Sequence, residues 1–168
     1  MALFSMKLEN LQQLYLKELR DLYDAEEQIT QALPTLIQAA HNPALKDALK
    51  EHLDVTQRQI SRLEQIFNNL NEKSSGESCK GMKGVIKEGD EIVSAGGDPA
   101  TIDAGIISAA QRVEHYEMAG YGTVRTYAQL LGQQEHARLL QQTLDEEEQA
   151  DQTLSKIAAS VNVEAKAA

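Results

Sequence analysis

A chain of 168 residues is long enough to bury a core of its own as one domain, residues 1–168, without disulfide or metal support for folding. Three prolines, 4% aromatic residues and an abundance of Ala, Leu, Gln and Glu favour helix throughout. The formal net charge of -10, with no stripe of Lys and Arg, excludes a nucleic-acid binder, and one cysteine excludes an intramolecular disulfide or a multi-cysteine zinc site.

Met1 to Lys7 lacks the apolar run of a secretory signal, and no uninterrupted apolar stretch approaches the roughly 18 residues that span a bilayer. A cytoplasmic protein with no membrane partner is expected, with Cys79 as an ordinary thiol.

The first helix is predicted from about Ser5 to Ala40, because Leu11, Tyr15, Leu19, Leu22, Ile29, Leu33 and Leu36 recur at steps of three and four. Pro34 lies inside this pattern and removes a backbone donor toward Thr30, which predicts a kink or an early stop. Asn42 and Pro43 then read as N-cap and first residue of a second helix over 43–71, with Leu45, Leu49, Leu53, Ile60, Leu63, Phe67 and Leu70 on its apolar face. Lys73-Ser74-Ser75-Gly76 marks the break after it.

A shorter amphipathic helix is expected over 79–95 through Met82, Val85, Ile86 and Ile92, ended by Gly96-Gly97. Asp98-Pro99 repeats the cap-then-proline device and opens a helix over 99–131, with Gly132 as the residue just past its end. The last long helix runs over 134–161, and the residues beyond Asn162 read as a frayed tail. Tight joints after the first and third long helices, with a long connection between the second and third, describe two antiparallel hairpins joined by a crossover. The fold class is therefore all-α, a ferritin-like four-helix bundle with a short fifth helix in the crossover.

Two halves of the chain repeat. Leu53 to Ile66 lies without gaps over Leu144 to Ile157, and Leu22 to Glu26 lies over Val113 to Glu117, pairing Glu26 with Glu117.

At about 100° per residue, Glu26 falls within about 30° of the centre of the stripe made by Tyr15, Leu19, Leu22, Ile29 and Leu33. Glu117 holds the equivalent place among Ile106, Ala110, Val113, Tyr121 and Val124, and Glu147 among Leu140, Thr143, Leu154 and Val161. A buried carboxylate costs several kcal/mol unless paired or coordinated, and gathering several adds repulsion that a cation relieves. Metal binding is the leading reading. An ion-pair network through Arg112 and Arg125 is the alternative. Glu114 with Glu117 at i, i+3, and Glu147 with Asp151 at i, i+4, place further carboxylates on the same sides of their helices. His115 points some 100° away from its neighbours and reads as a support for a carboxylate from outside. His52, in the core-facing row with Leu45, Leu49 and Thr56, reads as a hydrogen-bonded interior histidine rather than a ligand. Tyr23, Tyr116 and Tyr121 flank the carboxylate level, as core filling or as hydrogen-bond donors to it.

Asp21 to Gln28, His52 to Thr56, Cys79 to Met82, Val113 to Glu117 and Thr143 to Glu147 together resemble the bacterial ferritin-like stress proteins typified by YciF, over nearly the whole chain. The resemblance implies a fold close to rubrerythrin, a homodimer rather than a storage cage, and a role in stress responses, with iron or manganese as the metal and no proven reaction or substrate. In rubrerythrin-like sites the first helix gives one Glu, the third gives two at i, i+3, and the second and fourth each give a Glu followed by a His. Glu26, Glu114, Glu117 and Glu147 match that pattern, and Asp151 stands where the last His would be. The second helix departs from it with Thr56 and Gln59. The expected ligands are thus Glu26, Glu117 and Glu147, completed by Glu114 and Asp151, with oxidation of Fe2+ or reduction of peroxide as the implied chemistry. A non-catalytic interaction bundle with a degenerate site is the alternative.

Overall fold

The computed structural model describes residues 8–168. Five helices follow one another: α1 (Leu11–Ala39), α2 (Pro43–Leu70), α3 (Lys80–Ala95), α4 (Pro99–Leu130) and α5 (Gln134–Ala167). No strand occurs among the described residues. No helix among them is long and apolar enough to cross a membrane.

Each boundary has a local cause. Asn10 caps α1 by accepting the Gln13 amide at 2.9 Å, so the helix begins at Leu11 rather than near Ser5, which lies outside the described residues. Pro34 does not stop α1, which runs on to Ala39. The proline ring is exposed, so water can reach the carbonyl it leaves free, while buried Leu33 and the packed Leu36 and Ile37 hold the last turns to the core. Asn42 caps α2 with Pro43 in its first turn, and Asp98 caps α4 with Pro99 in its first turn. α2 closes on Asn71 in the left-handed region, at φ 52°, where the Glu72 amide donates to the Phe67 carbonyl at 3.0 Å. Gly132, at φ 74°, allows the reversal between α4 and α5. The expected fraying after Asn162 does not occur: α5 continues to Ala167. Val161 is buried there, the sequence holds no Gly or Pro to break the helix, and Lys166 suits the negative end of the dipole.

Side-chain pairs fix the directions. Tyr23 reaches Glu64 and Arg20 reaches Glu72, so α1 and α2 are antiparallel. Gln59 meets Glu147 and Arg62 meets Thr143, so α2 and α5 are antiparallel. Tyr121 meets Glu26, while Asp103 meets the backbone of His41, so α1 and α4 are antiparallel as well. The two hairpins are joined by a crossover carrying α3, which packs on α1 and α4. This is the ferritin-like arrangement expected from the connection lengths. Asp103 is a buried carboxylate with a different job: its two oxygens accept the His41 and Asn42 amides at 2.7 and 2.6 Å, tying the α1–α2 joint to α4.

The core is split in two. Tyr15, Leu19, Leu22, Leu63, Tyr121 and Leu140 belong to one apolar cluster, and Ile29, Leu33, Leu49, Met82, Ile106 and Leu154 to the other. Along α1 the divide falls between Leu22 and Ala25, next to Glu26, along α4 between Ala110 and Tyr121, and along α5 between Leu144 and Leu154. A polar layer therefore crosses the bundle at mid-height.

Candidate metal centre

Glu26, Glu117 and Glu147 have no exposed surface and Glu114 has 2%. The inward placement inferred from helix angle is what the structure shows for Glu26, Glu117 and Glu147, and Glu114, one turn before Glu117, is buried with them. Ligand-capable atoms of His52, Glu114, Glu117 and Glu147 lie within 4.8 Å of one another. An ion holding oxygen ligands at about 2.1 Å keeps opposite ligands roughly 4.2 Å apart, so a small inward movement of the four would close around one.

Glu26, expected as a ligand from α1, stands outside this group and borders it. The Tyr121 phenol donates to its Oε1, and its other side faces Glu117. Glu147 accepts the amide of Gln59. Glu114 leans on Glu147 and stands 3.5 Å from His52 Nε2. What remains is a set of polar atoms that no described residue satisfies: Glu26 Oε2, Glu114 Oε2, both oxygens of Glu117, Glu147 Oε2 and His52 Nε2. Orphaned acceptors of this kind are rare in native interiors and cost about 1–3 kcal/mol each, more when charged.

No Lys or Arg offsets the charge directly. Among the described residues none forms an ion pair with Glu26, Glu114, Glu117 or Glu147. Arg112 pairs with Glu88 at 3.6 Å and Arg125 donates to Gln141 at 2.6 Å, so the ion-pair alternative through these two residues is not realised. Arg62 is closest, yet its guanidinium is taken up by Glu146 at 2.6 and 2.7 Å and by Thr143 at 3.1 Å.

The electrostatics follow from burial and crowding. Burial lifts the carboxyls of Glu26, Glu114 and Glu117 well above the ordinary range, and the neighbouring glutamates raise them further. Glu147 rises to about 7, through burial first, with hydrogen bonds from Glu114 and Gln59 pulling it back. Burial drops His52 to about 4, which keeps its imidazole neutral at pH 7 and its lone pair available. Carboxylates that resist ionising alone, with a neutral imidazole beside them, suit a divalent cation. The oxygen-rich set with one nitrogen fits iron or manganese.

Two expectations about individual residues change. Asp151 stands outside the four-residue group: its oxygen accepts the Gln111 amide at 3.0 Å and faces His115 Nε2 at 3.3 Å, at the partly exposed margin of the bundle. His115 thus supports a carboxylate from outside, though that carboxylate is Asp151. His52, read as an ordinary interior histidine, is the one that comes within ligand reach. Its place in the core-facing row of α2 was the available signal. Thr56 turns its hydroxyl back to the His52 carbonyl at 2.9 Å and offers nothing inward, while Gln59 binds Glu147. Of the tyrosines, Tyr121 binds the cluster, Tyr23 binds Glu64, and Tyr116 binds Asp21 and Cys79.

A four-helix bundle with a crossover helix and a buried carboxylate–histidine layer at mid-height defines a ferritin-like protein. Within that class the chain belongs to the family described as Domain of unknown function (DUF892), which it matches over residues 10–168. It is 39% identical to Protein YciF of Escherichia coli strain K12 over 163 residues, covering 96% of this chain and 98% of that one. Two solved structures are close in fold. The Escherichia coli stress protein YciF superposes with a TM-score of 0.89 at 37% identity, covering 92% of this chain and 98% of that one. YcfI of Rhodopseudomonas palustris, for which a structural role has been suggested, superposes with a TM-score of 0.87 at 44% identity, covering 91% and 98%.

Proposed function

We propose that this protein is a metal-binding bundle of the bacterial stress response, holding iron or manganese on Glu114, Glu117, Glu147 and His52, with Glu26 adjoining through Glu117. The observation that carries the reading is the layer of buried glutamates with unsatisfied oxygens and no cationic partner. The stress role rests on likeness to YciF, which is described as a stress protein. Bound in this layer, such an ion would supply redox chemistry of the kind that oxidises Fe2+ or reduces peroxide. The chain's own part is to exclude water by the apolar clusters above and below, to fix Glu26 through the Tyr121 phenol, and to fix Glu147 through the Gln59 amide.

Elemental analysis after loading with Fe2+ or Mn2+ tests this. Uptake near one or two ions per chain, lost in a Glu117→Ala, Glu147→Ala double variant, supports it; less than about 0.2 ions in the parent chain, the level of adventitious binding, overturns it. The second reading, a non-catalytic bundle with a disabled site, draws on Thr56 and Gln59, which give α2 no carboxylate in the layer. It expects no metal uptake and a melting temperature indifferent to either ion.

A further inference from the structure

Between α2 and α5 lies a cavity of about 900 Å³ that the metal reading leaves without a role. Its walls include Leu49 and Val55 from α2 and Ala150 and Leu154 from α5. His52 and Glu114 line it too, and both carry an unpartnered buried atom: Nε2 of His52 and Oε2 of Glu114. The space therefore opens onto one edge of the glutamate layer. Beside it Gln59 and Arg62 tie the same two helices together through Glu146, Glu147 and Thr143.

Size and charge narrow what fits. A peroxide or an oxygen molecule needs little more than the roughly 30 Å³ of a water, whereas a cavity of this volume falls in the range that holds organic ligands. Of the charged groups on it, Glu146 is paired with Arg62 and Glu114 belongs to the metal layer, which leaves Glu51 and Asp145 against Arg58 and Arg138. Arg138 is further engaged by Glu135 at 2.7 Å, and Arg58 by its own helix at the Asp54 carbonyl. An anionic ligand finds no free counter-ion on these walls, since both arginines are engaged, and a cationic head would be repelled by an ion in the layer.

We propose that the α2–α5 cavity binds an uncharged, largely aliphatic molecule with a single small oxygen-bearing head, tail against Leu49, Val55, Ala150 and Leu154 and head toward His52 and Glu114. The proposal rests on the metal reading, since it places the head beside the ion.

The experiment uses the full chain loaded with Mn2+ and measures proton relaxation of 1-butanol, 1-pentanol and 1-hexanol by NMR. Paramagnetic relaxation is expected to be stronger at the C1 methylene than at the terminal methyl. Affinity should rise about three- to fourfold per added methylene. In the chelator-treated chain, where no ion can attract its charge, hexanoate should bind at least about tenfold more weakly than 1-hexanol, because its carboxylate finds no free counter-ion on the walls. Ala150→Phe, which narrows the cavity at the wall assigned to the tail and replaces none of the four metal-binding side chains, should abolish the gradient while Mn2+ uptake is retained. Val55→Phe does the same from the opposite wall should the first variant not fold. If Mn2+ binds but the alcohols show no gradient, or the gradient survives both variants, or hexanoate binds the chelator-treated chain as well as 1-hexanol, the cavity proposal falls and the metal reading stands. No Mn2+ uptake at all overturns both.

Discussion

Replacing Glu147 with Gln should stabilise the metal-free protein at alkaline pH while abolishing its response to metal. The carboxyl sits at about 7 in the folded chain against an ordinary 4.5. Because the folded value is the higher one, the native state favours the protonated form. Stability is complete below about pH 4.5, is lost as pH rises through 7, and levels off above. At 1.36 kcal/mol for each tenfold difference in proton affinity, the loss at pH 8 is about 3 kcal/mol. Gln carries no charge at any pH and can still accept the Gln59 amide through its own carbonyl oxygen. Turning a charge-assisted hydrogen bond into a neutral one costs about 1 kcal/mol. The net gain is then about 2 kcal/mol, or roughly 4–8 °C in Tm for a chain of this size.

Thermal melts by circular dichroism, at pH 5 and pH 8 and in chelator or Mn2+, read all of this. In chelator the variant should melt above the parent at pH 8, with the advantage shrinking below about 1 kcal/mol at pH 5. In Mn2+ the parent should gain stability, about 2.7 kcal/mol at a hundredfold excess over Kd, and the variant should gain little. A variant that melts below the parent in chelator at pH 8 would refute the reasoning. It would mean that Glu147 stabilises the fold through its hydrogen bonds and that the layer is structural.

The Glu147 proton must leave before an ion enters, and so must those of Glu114 and Glu117, which burial also holds up, so Mn2+ affinity should rise by at least about tenfold per pH unit below 7; His52, near 4, adds no step above pH 5. His52→Ala should weaken Mn2+ binding by at least about tenfold, whereas Asp151→Asn should change it by less than roughly threefold, as titration calorimetry can measure; the reverse order would restore Asp151 as the ligand. Asp103→Ala strands the His41 and Asn42 amides and should cost about 2 kcal/mol in chemical denaturation without altering metal stoichiometry. Gly84→Ala meets nothing within 4 Å and should raise Tm by roughly 2–4 °C, while Gly81→Ala drives a Cβ to 2.6 Å from the Tyr116 ring and should lower it. Tyr116 cannot easily yield, because Asp21 and Cys79 hold its hydroxyl at 3.1 and 3.0 Å.

Most helix limits were legible because local chemistry decides them. Asn42-Pro43 and Asp98-Pro99 act within one turn, and so does Gly132 with its positive φ. The limits that moved depend on what lies elsewhere. Helix α1 survives Pro34 because Leu33 and its neighbours are packed, and α5 outlasts Asn162 because Val161 is buried. Asp103 gave no signal at all. A lone aspartate early in a helix looks solvated until the fold brings the α1–α2 joint against it.

For the glutamate layer, helix angle was sufficient information about side but not about level. Glu26, Glu117 and Glu147 lie on the centres of their apolar stripes and are buried. Which residue one turn away completes the layer depends on the register between antiparallel helices, which the pairs Gln59–Glu147 and Arg62–Thr143 set. That register carries Asp151 to the bundle margin and brings His52 within reach. Thr56 and Gln59 are the α2 positions where the resemblance to rubrerythrin-like sites implies a Glu and a His. Thr56 bonds back to its own helix there, leaving the α2 side of the layer without a carboxylate. On that side the cavity between α2 and α5 reaches His52 and Glu114. The asymmetry between the halves thus has a structural counterpart: where α5 presents Glu147, α2 presents Thr56 and Gln59, buried and bonded within the bundle, and the α2 residue that faces both the layer and the cavity is His52, one turn earlier.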